Sequence, residues 1–274
     1  GSSMMNGGQG VTNDETISAY LESENRESMN FGTMAYGLDQ SYLLLKHKLW
    51  QFKPNLIVVG LDSAPAQALG NMFVPFRLPE ETSMAYLKPR FKLIEKNELD
   101  LISIDPYRLS ELSKPEKLLN FLSKNDAFFP QYQNFKRYSF TPLSMGGWNV
   151  VKKMNNFANY IHFDASKYVL LQRLMTQIEI EAALNGVAVL YLLFPNGSQY
   201  LPNLIKRNLL DVYAETYLYL SNYGHSIIDV RELFRKSNYE YSELFSADNY
   251  HFKAKANRTI ADGIKPIVVN LLEK

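Results

Sequence analysis

Stretches with a 3.6-residue apolar period alternate along this chain with short, nearly unbroken apolar runs. In LDQSYLLLKHKLWQF (38–52), Leu38, Tyr42, Leu45, Leu49 and Phe52 share one helical face, and Lys53-Pro54 ends the helix. NLIVVGL (55–61) has almost no polar residue, which predicts a strand covered on both faces. The same alternation returns in the last third. A helix is expected over 166–186, closed by Gly186, then a buried strand in VAVLYLLFP (187–195). A helix over 200–224, closed by Gly224, leads to a strand in HSIIDV (225–230), a short helix in RELFRKS and a last helix over 254–272. Near the start, residues 1–11 read as a glycine-rich loop. NDETISAYLES (13–23) reads as a helix capped by Asn13, with Ile17, Tyr20 and Leu21 on one face. SMNFGTMAYG (28–37) reads as a short strand and a glycine turn.

Between about 63 and 163 the period loosens. RFKLIEKNELDLISI (90–104) alternates about a central Lys-Asn, which predicts a hairpin, and KPEKLLNFLSK (114–124) a short helix. The remainder is rich in aromatic residues, Pro and Gly. This pattern predicts one α/β domain over 1–274: a mostly parallel sheet sandwiched between helices in three layers, with a long aromatic-rich insertion over the strand ends. In such sheets ligands bind at the carboxyl ends of the strands. The insertion leaves the sheet at such an end, so it is expected to form much of a substrate cleft. Phe73, Phe76, Tyr86, Phe128, Phe129, Tyr132, Tyr138 and Trp148 would supply its rings.

Composition narrows the function classes. The chain has 274 residues, is 46% hydrophobic, and carries 29 basic against 28 acidic side chains for a net charge of +1. A near-neutral balance argues against a general nucleic-acid binder. Without cysteine there are no disulfides and no thiolate metal sites. No apolar run approaches the roughly 20 residues of a membrane span. The start, GSSMM, looks trimmed, so an upstream targeting segment and an extracytoplasmic location stay open, as does the oligomeric state. The 18 Tyr, 16 Phe and 2 Trp suit either a cleft for flat-faced ligands or ordinary packing.

The chemistry concentrates near the end of the chain, in FSADNYHFKAKANRTIADGI (245–264). Asp248 lies three residues before His251, one of four histidines, just ahead of the last helix. The carboxylate can cap backbone N–H groups there. It can also turn back on the imidazole, accept the Nδ1 proton and leave Nε2 free to take one. That would be two thirds of a nucleophilic triad, and without cysteine the missing nucleophile is a serine or threonine. His47, in Lys-His-Lys on a helix face, reads as solvated, and His162 and His225 as structural. No spacing of His, Asp and Glu resembles a metal site, and the scattered glycine clusters do not make a phosphate loop.

These residues resemble the SGNH (GDSL-type) hydrolase superfamily. Asp248-Asn249-Tyr250-His251 before an amphipathic last helix is similar to its final block. NFGTMAYGLDQSYLLLKHKLWQFKPNLIVVGL is similar to its second block, a glycine turn leading to a helix, a Lys-Pro and an apolar strand. The resemblance covers about 1–62 and 166–274 and leaves out the insertion. It implies a Ser-His-Asp triad that hydrolyses an ester, such as an acyl group on a carbohydrate, without a cofactor. Ser3 falls on the nucleophile position, in Gly1-Ser2-Ser3 ahead of Gly-Gln-Gly-Val, with Ser2 a competing choice. Gly37 matches the glycine whose N–H joins the oxyanion hole, alongside the N–H of Ser3. Asp62, ending the strand in VVGLDSAP, occupies the position of the family's oxyanion-hole asparagine, and an ionised carboxylate cannot donate there. Asn6 and Asn71 are candidate substitute donors. The departure at Asp62 keeps two alternatives open: a weak or inactive SGNH-fold binding or accessory module, and a sugar O-acyltransferase using the same triad, both in polysaccharide assembly.

Overall fold

The computed structural model describes residues 1–8, 10–77, 87–104, 110, 114–130, 165–200 and 211–273. They fall into two compact units, one made of Gly1–Pro65 with Leu171–Lys274 and the other of Ala66–Leu170. Five strands occur among them: β1 (Leu56–Leu61), β2 (Arg90–Leu93), β3 (Leu99–Ile102), β4 (Ala188–Leu193) and β5 (Ile227–Asp229).

The first unit is an α/β fold around a parallel sheet of order β1-β4-β5. Leu56 pairs with Ala188 and Leu61 with Leu193, so the carboxyl ends of β1 and β4 finish level; Leu193 pairs in turn with Asp229. Strand β4 shows why its sequence has no polar face. Leu190, Leu192 and Phe194 pack in a core with Ala256, Ile260, Ile264 and Val268 of the last helix, Ala254–Leu272. These helix residues are spaced by four, as one buried stripe requires. Tyr191 and Leu193, also buried, are met by different partners. The Tyr191 hydroxyl donates to Met175 O in the helix Ala165–Leu184, and the Tyr213 hydroxyl to Leu193 O. Strand β1 is buried only over Val59–Leu61, toward its carboxyl end.

The helix expected over 38–52 is an α-helix, Leu38–His47, followed by a 3-10 turn, Leu49–Phe52, with Lys53 in the left-handed region that breaks it. Leu38, Tyr42 and Leu45 are buried as the period requires, whereas Phe52 is exposed. The helix expected over 13–23 likewise divides, into a 3-10 turn (Asn13–Glu15) and a helix (Ile17–Leu21). Its caps are Thr12 and Thr16, not Asn13, because the Thr16 hydroxyl accepts from Ala19 N–H and the Glu15 carboxylate from Thr12 N–H. The glycine-rich start contains one helical turn, Ser3–Asn6, before Gly7, Gly8 and Gly10 take positive φ. No strand forms over 28–37. There Asn30 and Gly32 tie the loop to the first helical turn, as described below.

In the second unit β2 and β3 form the expected antiparallel hairpin, turned by Lys96 and Asn97 at positive φ. The helix Pro115–Asn125 follows. Asp126 gathers the chain here: one oxygen accepts from the N–H groups of Met72 and Phe73, the other from that of Phe128. Met72, Ile102, Leu122 and Phe129 form the core, with Phe73 and Phe76 packed against it edge to face. Four of the aromatic residues assigned to a cleft therefore act in packing: Phe128 and Phe129 are buried, and Phe73 and Phe76 pack on the core. Tyr86, Tyr132, Tyr138 and Trp148 lie outside the described residues.

Candidate active site

Ser3, Asp248 and His251 converge. Ser3 Oγ lies 2.9 Å from His251 Nε2, across 248 positions of sequence. His251 Nδ1 lies 2.5 Å from Asp248 Oδ2. With the Nδ1 proton directed at that carboxylate, Nε2 is the free acceptor for the serine hydroxyl. The hydroxyl of Ser2, the alternative nucleophile, is buried without a hydrogen-bond partner among the described residues.

The loop between Phe245 and Phe252 is built to hold this arrangement. The two phenylalanines pair as an isolated β-bridge and are both buried. Between them Asn249 takes positive φ, turning the chain tightly. Asp248 Oδ1 accepts from the Ser246 hydroxyl and from the N–H groups of Tyr250 and His251, at 2.9 and 3.0 Å for the last two. Capping and orienting the imidazole are thus done by different oxygens of one carboxylate. Partial burial works against the charge of Asp248. The Ser246 hydroxyl, the imidazole and the two N–H groups outweigh it and hold the carboxyl well below its usual range. Ser246 also meets His251 O, and its part in the site was not visible in the sequence. A serine two positions before the aspartate would have been the signal.

Glycines bring the histidine to the serine. A Cβ on Gly8 would lie 2.5 Å from His251 Cδ2, so the backbone passes directly against the ring. Gly8 also has φ +63°, which other residues rarely adopt. A Cβ on Gly197 would meet the Tyr241 hydroxyl at 2.1 Å, and the Gly197 N–H donates to Asn249 O. The loop after β4 is thereby fastened to the histidine loop.

The serine is held from the other side. Asn30 Nδ2 donates to Met5 O, Asn6 Nδ2 to Gly32 O, and Thr33 N–H to Gly1 O. A Cβ on Gly32 would lie 2.2 Å from Asn6 N, so this loop lies directly on the serine's helical turn. Gly1 runs beside β1, since a Cβ there would be 3.4 Å from Gly60 N.

The expected oxyanion hole fits less simply. The Gly37 N–H donates to Gln40 Oε1 at 2.9 Å, capping the helix Leu38–His47, and is not open toward a ligand. Asp62 Oδ1 accepts from Ala64 N–H at 3.1 Å. Of the substitute donors, Asn6 Nδ2 donates to Gly32 O, and Asn71 Nδ2 bonds Phe73 O and Asp126. The N–H of Ser3, at the first position of its helical turn, has no acceptor among the described residues.

Of the other histidines, His47 is exposed and His225 is buried, with Nδ1 2.8 Å from Glu179; His162 lies outside the described residues. Among the described residues no cluster of His, Asp and Glu could hold a metal ion, and no helix is long and apolar enough to cross a membrane.

No protein-family model matches the chain, and no curated protein sequence does. Among solved structures it is similar to LAE5, an alpha/beta hydrolase enzyme from the metagenome of Lake Arreo, Spain. The two are 13% identical with a TM-score of 0.47, over 98% of this chain and 93% of that one. A likeness this distant leaves the chemistry of the site to its own geometry.

Proposed function

We propose that the chain is a serine esterase of SGNH type. The observation that carries this reading is the relay itself: Ser3 Oγ 2.9 Å from His251 Nε2, and His251 Nδ1 2.5 Å from Asp248. Ser3 attacks the ester carbonyl while His251 takes its proton. The alcohol leaves with that proton, and an acyl-serine remains. Water then attacks it with His251 again as base, releasing the acid and restoring Ser3. Asp248 keeps the imidazole in the productive tautomer and stabilises its positive form. The N–H of Ser3 is the first donor to the oxyanion. The Gly37 N–H, the second donor the family resemblance offers, is held by Gln40 Oε1. An acyl ester on a carbohydrate is the substrate class the family resemblance favours. The protein is expected to label at Ser3 with a fluorophosphonate and to release p-nitrophenol from p-nitrophenyl acetate, with both signals lost in Ser3→Ala and His251→Ala. Labelling at another residue, or activity unchanged in these variants, would sink the proposal.

A second reading rests on Asp62. A carboxylate where the family keeps an oxyanion donor suits a module that retains the cleft for binding alone. A folded protein that neither labels nor turns over would favour it.

A further inference from the structure

Ser246 touches both members of the Asp248–His251 pair. Its hydroxyl lies 2.5 Å from Asp248 Oδ1 and 2.9 Å from His251 O. Its N–H also donates to His251 O at 2.9 Å, and its carbonyl accepts from Asn249 N–H at 3.0 Å. The hydroxyl has one proton for two acceptors. The carboxylate is charged and nearer, so the proton goes to Oδ1. Of the three donors on that oxygen, those of Tyr250 and His251 are backbone N–H groups, and Ser246 brings the side chain. Burial works against the charge of Asp248, and the Ser246 hydroxyl is the largest of the influences that outweigh it.

We infer that Ser246 is a positioning residue for the ester reaction: its hydroxyl on Oδ1 holds the Asp248 carboxylate in the orientation that offers Oδ2 to His251 Nδ1. The inference rests on the esterase reading and adds a fourth side chain to the relay. The Asp248 side chain is 47% exposed, so hydrogen bonds, more than packing, fix its orientation. When Ser3 gives its proton to Nε2, the imidazolium directs its Nδ1–H at Oδ2. A donor on Oδ1 draws charge from the carboxylate at that moment, so the proton stays on the ring. Without that donor the carboxylate keeps more negative charge, and the Asp248–His251 pair holds a proton to higher pH. Tyr241 is the other titratable group that senses Asp248. Burial, and then the charge of Asp248, push its hydroxyl above the ordinary range, so it remains a neutral donor to Asn249 Oδ1.

The test compares wild type with Ser246→Ala, Ser246→Cys and Ser246→Thr, each as the full chain. Turnover of p-nitrophenyl acetate is followed across about pH 5 to 9, a range that brackets an ordinary histidine. Ser246→Ala is expected to lower kcat by about 10- to 100-fold, the range of one hydrogen bond to a charged group, with KM little changed. The acid limb of kcat/KM should move to higher pH. Ser246→Thr keeps a hydroxyl and should restore both. Ser246→Cys fills the site with a weak donor, should follow Ser246→Ala, and carries the test if the alanine variant does not fold. Three results would overturn the inference while leaving the esterase reading intact: unchanged kcat without the hydroxyl, a lowered kcat with the acid limb in place, or Ser246→Thr as impaired as Ser246→Ala. A wild-type protein without turnover would instead defeat the esterase reading, and the inference with it.

Discussion

At Asp248 one oxygen collects hydrogen bonds from Ser246, Tyr250 and His251, which leaves the other to the imidazole. The short loop lets one carboxylate both cap backbone N–H groups and meet the imidazole. Asp248→Asn tests the second oxygen. An amide there can donate to Nδ1 and put the proton on Nε2, the wrong tautomer for a base facing Ser3. Ester turnover is expected to fall on the order of 1,000- to 10,000-fold, read as kcat with p-nitrophenyl acetate. Stability should respond to pH in a defined sense. A carboxyl held below its ordinary value of 3.8 stabilises the fold above that pH and loses the contribution as pH falls further. The melting-temperature gap between wild type and Asp248→Asn should be flat above about pH 5 and close below about pH 4. It should be small, because the side chain is 47% exposed and solvent screens it. A gap that widens in acid would contradict this account.

Elements meet around the site through glycines. Gly8 at φ +63° lies against the imidazole, Gly32 against the serine's helical turn, and Gly60 under Met5 and Phe194. Each contact leaves no room for a Cβ. Gly8→Ala should therefore act on catalysis more than on folding. The methyl group displaces the His251 ring from Ser3, and the strained φ costs about 1 kcal/mol. The expected outcome is a fall in kcat of at least about 100-fold, as small misplacements of catalytic groups produce, with a melting temperature only a few degrees lower. Full activity in Gly8→Ala would mean that the loop yields and that the close approach is not needed. The sequence marked Gly8 as part of a glycine-rich loop, Gly32 as part of a short strand and turn, and Gly60 as part of a buried strand. It could not show which glycine touches which partner, because the contacts are made between segments more than 20 residues apart.

On the scale of the whole molecule, β4 is the element on which the first unit is assembled. Phe194, at its end, is fully buried, donates its N–H to Leu61 O, and packs edge to face on Phe252 beside the histidine loop. Phe194→Ala should cost about 3–5 kcal/mol, read as a lower denaturant midpoint, whereas Leu184→Ala, at a side chain 82% exposed, should stay within about 0.5 kcal/mol. Equal effects would contradict this placement of the core. Much of the architecture was legible in the chain itself. The apolar runs at 55–61, 187–195 and 225–230 became β1, β4 and β5, and the stripe from Ala256 to Val268 set the last helix, because burial imposes a period of two or 3.6 that survives in sequence. The Asp248–His251 pair was legible for the same reason, since both ends of the contact lie within three residues. Tertiary structure alone decided that Ser3, not Ser2, faces His251, that the Gly37 N–H is spent on Gln40, and that Asp62 lies buried with Ala64 N–H donating to it. Those outcomes depend on how β1, the first helical turn and the histidine loop pack together, and a contact across 248 residues leaves no periodic trace in the chain.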